Sequence, residues 1–127
     1  LVVHVGTAGV YPGRARELAV GGAVVCGRIA LVAPEVAAQH AYVPGPMPVD
    51  VACDVRATRA LAKASGLPLA VAGNTLAITS HAAVAKLVAR RAGVDLENLE
   101  AFAVARAAAV ARVRFACVLG IANAVGP

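Results

Sequence analysis

The run Phe115-Ala116-Cys117-Val118-Leu119-Gly120-Ile121, closed by Ala122-Asn123, decides the fold. It is uncharged, β-prone and bounded by Arg114 and Asn123, so it reads as a central strand covered on both faces, as in a parallel sheet. Upstream of it, Asp95 offers an N-cap for a helix to about Ala111, with Leu96, Leu99, Phe102, Ala103 and Val110 giving close packing. Ser80 offers another for a helix from His81 to Arg91, ended by Gly93, with Arg90-Arg91 at the negative end of its dipole. A strand from Leu67 to about Ile78, bent at Gly73-Asn74, precedes it. Before that, Val55, Ala57, Leu61, Ala62 and Ala64 oppose Arg56, Arg59 and Lys63 on a helix that starts at Asp54 and stops at Gly66 and Pro68. Leu1 to Val5 and Ala23 to Val32 read as buried strands, the first ending in a Gly6-Thr7-Ala8-Gly9 loop. Between Ala33 and Asp50, three prolines make the stretch from Tyr42 to Pro48 a loop. Strands alternating with helices predict one α/β domain.

The chain has 127 residues, 60% of them hydrophobic, which is high for one compact domain and predicts that further chain or a partner subunit covers part of it. The uncharged stretch from Ala64 to Ala85 is interrupted by Gly66, Pro68, Gly73, Asn74, Thr75 and Ser80, which argues against a membrane span. The start, Leu-Val-Val-His-Val, lacks an initiator Met and a basic segment and reads as a strand entered midway. Cys26, Cys53 and Cys117 are widely spaced in apolar contexts, so they are expected as reduced core thiols in a cytoplasmic protein. Net charge is +5. The basic residues, among them Arg14, Arg16, Arg28, Arg106, Arg112 and Arg114, are scattered without interleaved aromatics, which argues against a nucleic-acid partner. His4, His40 and His81 have no metal-ligand spacing, so no metal is expected.

Three polar signals remain. Gly6-Thr7-Ala8-Gly9 permits close backbone approach to a ligand but matches neither the Walker nor the dinucleotide pattern; a plain turn would give the same residues. Glu97-Asn98-Leu99-Glu100 falls in the first turns of the helix after Asp95. There the carboxylates would favour the positive helix end, or Glu100, beside the apolar stripe, would accept hydrogen bonds from the vicinal hydroxyls of a ribose. Asn123, after a buried strand, is either a turn residue or a side chain that donates and accepts at once, as reading a purine-like base requires.

In this order the signals resemble the purine nucleoside phosphorylase, methylthioadenosine nucleosidase and futalosine hydrolase superfamily. Val5-Gly6-Thr7-Ala8-Gly9 is similar to its Gly-Ser/Thr-Ala/Cys-Gly loop, and Leu18 to Val25 to its Leu-x-Val-Gly-Asp-Ile-Val-Val stretch. Asp95 to Ala101 is similar to its Val-Asp/Glu-Asn/x-Met-Glu-Gly/Ala signature, and Leu119 to Asn123 to its Arg-x-Ile-Ser-Asp/Asn strand end. The resemblance implies a fragment of a phosphorylase/hydrolase-like three-layer sandwich with a mixed central sheet. The family's N-terminal half-sheet and C-terminal helix are expected to lie outside residues 1–127.

By the same resemblance, Glu100 binds the ribose hydroxyls, Leu99 lies beneath the sugar, and Ala77 and Ile78 contact the base. Asn123 engages the base as the catalytic residue, and His4 with Gly6, Thr7, Ala8 and Gly9 forms the nucleophile or anion loop. Departures refine the expectation. His4 stands where phosphorylases of this family often have a phosphate-binding Arg, which favours water as nucleophile. Gly22 replaces an Asp and Ala122 a Ser. Asn123 resembles the futalosine-hydrolase branch or the 6-oxopurine phosphorylases and cannot serve as a general acid. The implied activity is hydrolysis of a nucleoside N-glycosidic bond by a homo-oligomer, with no cofactor. Phosphorolysis, with phosphate as co-substrate, and a non-catalytic binding domain of the same fold are the alternatives.

Overall fold

The computed structural model describes residues 1–14 and 18–126. Arg16, one of the scattered basic residues, lies outside the described residues. The elements are β1 (Val2–Val10), β2 (Ala23–Leu31), α1 (Pro34–Ala37), β3 (Asp50–Ala52), α2 (Val55–Ser65), β4 (Leu69–Asn74), α3 (Ala82–Ala92), β5 (Leu96–Asn98), α4 (Ala101–Val110) and β6 (Phe115–Ala124). The strands form one mixed sheet in the order β3-β2-β4-β5-β1-β6, and β6 also pairs with β2, so the sheet closes on itself. The fold class is the expected mixed α/β one, with helices packed against the sheet.

Closure depends on β2 changing partner midway. Its residues Ala23 to Cys26 pair antiparallel with Gly120 to Cys117 of β6, and Arg28 to Ala30 pair antiparallel with β3. The register with β4 shifts between Cys26 and Arg28, which leaves Gly27 as the extra residue of a bulge, where the strand bends away from one neighbour and onto the next. A second shift, between Ala8 and Gly9 on the β1–β6 pair, leaves Ala122 unpaired and sets Asn123 opposite Gly9.

Two apolar clusters hold the layers together. In one, α4 contributes Phe102, Ala105 and Ala108 against Val24, Cys26, Ile29, Leu96 and Leu119 of the sheet. In the other, Ala85, Val88 and Ala89 of α3 meet Ala30, Val32, Tyr11 and Val94. Leu96 and Leu119 are fully buried, each contributing roughly 1.5–3 kcal/mol. The alanines of α4 are what allow it to lie close to the strands.

Helix α2 starts and stops as predicted, although Thr58 rather than Val55 is its buried residue: the Asp54 side chain accepts a hydrogen bond from Ala57 N at 2.8 Å, and Gly66 adopts the left-handed conformation that ends the helix. Elsewhere the structure corrects the sequence. Gly6-Thr7-Ala8-Gly9 is not a loop; β1 runs straight through it to Val10, because pairing with β6 on one edge outweighs the local glycine signal. The helix expected from Asp95 begins only at Ala101, since Leu96–Asn98 is a fully buried strand inserted between β4 and β1. Strand β4 ends at Asn74 rather than near Ile78. Ser80 does not cap α3; His81 occupies that position, without a side-chain cap. The stretch from Tyr42 to Pro48 is a loop as expected, flanked by the short helix α1 and by β3. Strand β6 extends to Ala124, so Asn123 lies within it.

Cys26, Cys53 and Cys117 are free and buried in the first cluster, as expected. Cys117 faces Cys26 across the β2–β6 pair, and together with burial it pushes the Cys26 thiol up; burial first, then Cys117, pushes Cys53 up to about 12. Such thiols stay protonated and shielded, so the folded protein at pH 8 is expected to leave a thiol-exchange reagent such as DTNB unreduced until denaturant is added. A fast stoichiometric reaction without denaturant would contradict this packing. Among the described residues, no helix is long and apolar enough to cross a membrane.

Candidate functional site

A cavity of about 180 Å³ is lined by Thr7, Ala8, Gly9, Ile78, Glu97, Asn98, Leu99, Glu100 and Asn123. The ends of β1, β5 and β6 meet there, with the segment before α3 as a fourth wall. Of the residues predicted from sequence, Thr7, Ala8, Gly9, Ile78, Leu99, Glu100 and Asn123 therefore come together, although they span more than a hundred positions in the chain. Gly6, His4 and Ala77 do not line this cavity. His4 lies further back on β1, with a buried Nε2 that has no hydrogen-bond partner among the described residues. Ala77 is exposed and lines an adjoining, larger groove of about 830 Å³ that shares Ile78 with the cavity.

Glu100 is not beside an apolar stripe. It is the exposed N-cap residue of α4, and its side chain makes no capping bond. The capping is done from two strands: Asn98 Oδ1 accepts from Ala101 N at 2.7 Å and from Glu100 N at 2.9 Å, while Asn74 Oδ1 accepts from Phe102 N at 2.9 Å. Glu100 Oε2 accepts from Asn98 Nδ2 at 3.0 Å, and the same amide donates to Thr7 O at 3.0 Å. All four hydrogen-bonding positions of the Asn98 amide are thus used. Asn98 ties Thr7, Glu100 and the start of α4 into one rigid unit, a role that the sequence reading missed.

Glu97 was also missed. It is 6% exposed, yet no cation pairs with it among the described residues. Its carboxylate instead accepts from the Tyr11 hydroxyl at 2.9 Å, from Thr79 N at 2.9 Å and from the Thr79 hydroxyl at 2.5 Å. Three donors satisfy a buried carboxylate that would otherwise be costly to desolvate. Burial and the neighbouring Glu97 charge push the Tyr11 phenol above its ordinary value, so it remains a donor at neutral pH. A carboxylate directly after the apolar Leu96 and two positions before Leu99 was the available signal.

Asn123 is fixed by its neighbour: Nδ2 donates to Ala124 O at 2.8 Å, which orients the amide without ambiguity because a carbonyl can only accept. Gly9 leaves room for it, since a Cβ there would lie 3.0 Å from Asn123 Nδ2 and 2.7 Å from a Val125 methyl. The lining residues include two carboxylates and no Lys, Arg or His. The cleft therefore suits hydroxyl donors and developing positive charge better than an anion.

This architecture is the fold seen in solved 5′-methylthioadenosine/S-adenosylhomocysteine nucleosidases and in a futalosine hydrolase. In particular, the chain is similar to the 5′-methylthioadenosine/S-adenosylhomocysteine nucleosidase of Campylobacter jejuni, with a TM-score of 0.80 at 16% identity over 100% of this chain and 57% of that one. The Helicobacter pylori nucleosidase bound to butyl-thio-DADMe-Immucillin-A gives 0.80 at 12% identity, covering 98% and 55%. A futalosine hydrolase mutant from Helicobacter pylori gives 0.77 at 13%, covering 96% and 56%. This chain thus spans a little over half the length of these structures. No protein-family model matches the sequence, and no curated protein sequence does.

Proposed function

We propose that the chain forms the sugar- and base-binding face of an enzyme that hydrolyses the N-glycosidic bond of a purine-type nucleoside. The observation that carries this reading is the Glu100 carboxylate, steadied by Asn98, in one cleft with Asn123. A carboxylate so held accepts hydrogen bonds from both vicinal hydroxyls of a ribose, with Leu99 against the sugar and Ile78 against the base. As the bond between C1′ and the base breaks, the electron pair leaves with the base and positive charge grows on the sugar. The carboxylate at the lip stabilises that charge, and water adds to C1′ and loses a proton. Asn123 hydrogen-bonds the departing base but has no proton to give, so protonation of the base falls to solvent or to another group.

Water rather than phosphate is the nucleophile in this reading, because two carboxylates and no basic residue line the cleft. Incubation of the full-length protein with inosine, futalosine, adenosine and methylthioadenosine, with and without phosphate, tests it. Free sugar released at equal rates in both conditions is the expected result. Sugar 1-phosphate formed only with phosphate would establish phosphorolysis instead, and binding without turnover would identify a non-catalytic domain.

The partner in this reading is a second copy of the chain, seated on the larger groove. Leu76 is 95% exposed and Tyr42 86%, and the proline-rich loop carries Tyr42 to its rim. Apolar side chains so placed favour self-association. Sedimentation of the full-length protein is expected to give a dimer that Leu76→Glu converts to a folded monomer; an unchanged mass would remove this groove as the interface.

A further inference from the structure

Ile78 and Glu97 line the same small cavity, but the two are linked by more than adjacency. After β4 the chain leaves the sheet at Asn74 and crosses the mouth of the cleft before α3 begins at Ala82. Ile78 sits on this crossing and is 73% exposed, so its own packing does little to fix it. The next residue, Thr79, is 7% exposed and is held through both its backbone N–H and its hydroxyl, each donating to the Glu97 carboxylate. The carboxylate oxygen that takes the Thr79 hydroxyl also takes the Tyr11 hydroxyl, just beyond the end of β1.

We infer that Glu97 is a positioning residue: through Thr79 it anchors the crossing segment and so sets the Ile78 wall against which the base of the nucleoside packs. The inference rests on the nucleosidase reading and deepens it. Glu97 itself does not reach substrate, because its oxygens are already engaged by three protein donors and its side chain is buried. Its effect passes through two hydrogen bonds to one residue and then through one peptide unit to Ile78. Since the wall acts on the base in the ground state and the transition state alike, loosening it raises KM and leaves kcat nearly unchanged.

Two substitutions each remove one hydroxyl donor from the same carboxylate oxygen, and only one of them touches the wall. Thr79→Val is expected to raise KM about tenfold with kcat within about twofold, the scale of one lost hydrogen bond to a charged group. Tyr11→Phe loses a donor that is not part of the crossing segment, leaves both Thr79 bonds to Glu97 in place, and is expected to lower Tm while leaving KM within about twofold. Glu97→Gln keeps an oxygen for the Thr79 N–H and an amide that both hydroxyls can accept from, so it is expected to preserve KM. If Thr79→Val unfolds, the Glu97→Gln comparison with Glu97→Asp, whose shorter side chain draws the acceptor away from Thr79, carries the test: KM preserved in the first and raised in the second. Equal KM changes in Thr79→Val and Tyr11→Phe, or none in either Thr79→Val or Glu97→Asp, would overturn the inference while leaving wild-type nucleosidase activity standing. A wild-type protein that neither binds nor cleaves any of the four nucleosides overturns the parent reading and this one with it.

Discussion

Replacing Glu100 by Ala is expected to lower kcat/KM for nucleoside cleavage by about two to four orders of magnitude, since two charge-assisted hydrogen bonds of about 1.5–3 kcal/mol each are lost. The fold should barely notice. Glu100 is exposed, caps nothing through its side chain, and among the described residues its carboxylate bonds only the Asn98 amide, so a stability change within about 0.5 kcal/mol is expected. Glu100→Gln separates charge from shape: it keeps an acceptor for Asn98 and can still bind a hydroxyl, but it no longer opposes the positive charge that grows on the sugar. It should therefore retain more nucleoside affinity than Glu100→Ala while sharing much of its loss in kcat. Calorimetric binding together with steady-state rates measures both. Unchanged nucleoside affinity in Glu100→Ala would remove the ribose assignment.

The second large effect is expected from Gly9→Ala, at a position where φ is unremarkable and space alone matters. The added methyl would stand 2.7 Å from a Val125 methyl and 3.0 Å from Asn123 Nδ2, both inside contact distance. Val125 is 5% exposed and β-branched, so it cannot swing aside freely; Asn123 is exposed and can. A stability loss of about 1–3 kcal/mol is expected from overpacking, with a fall in activity from the displaced amide. Gly9→Ala combined with Val125→Ala separates the two. The double variant should regain part of the stability lost to the clash but not the activity, because the contact with Asn123 persists. Full recovery of both in thermal melts and assays would mean that Asn123 does not depend on Gly9.

How much of this was legible in the sequence differs element by element. Helix α2 was, because Asp54, the apolar stripe and Gly66 are local signals that act within one turn. The uncharged run of β6 was also readable, because covering both faces of a strand leaves a composition that survives any register. Strand β5 was not. It is only Leu96–Asn98, and its burial comes from β4 and β1 on either side, so nothing local distinguished it from the first turn of a helix behind Asp95. The same holds for Gly6 to Gly9, where glycines that usually mark a turn instead make space for the neighbouring strand. The cleft was legible as an ordered set of residues, yet its two organising groups were not. Asn98 and Glu97 act by hydrogen bonds to Thr7, Tyr11 and Thr79, and those distances exist only after folding.

The bulge at Gly27 has a consequence for how the chain reaches this structure. The half of β2 that precedes it waits for β6, the last strand among the described residues, as does the whole of β1 along one edge. During synthesis from the N-terminus, those edges emerge long before their partner and stay open while more than eighty further residues are made. Pairings between distant parts of a chain form slowly, because the loop they close must be ordered first. The β2–β6 seam should therefore form after the pairings of β2 with β3 and β4, and until it forms, Val2 to Val10 and Ala23 to Cys26 are the stretches a chaperone would find.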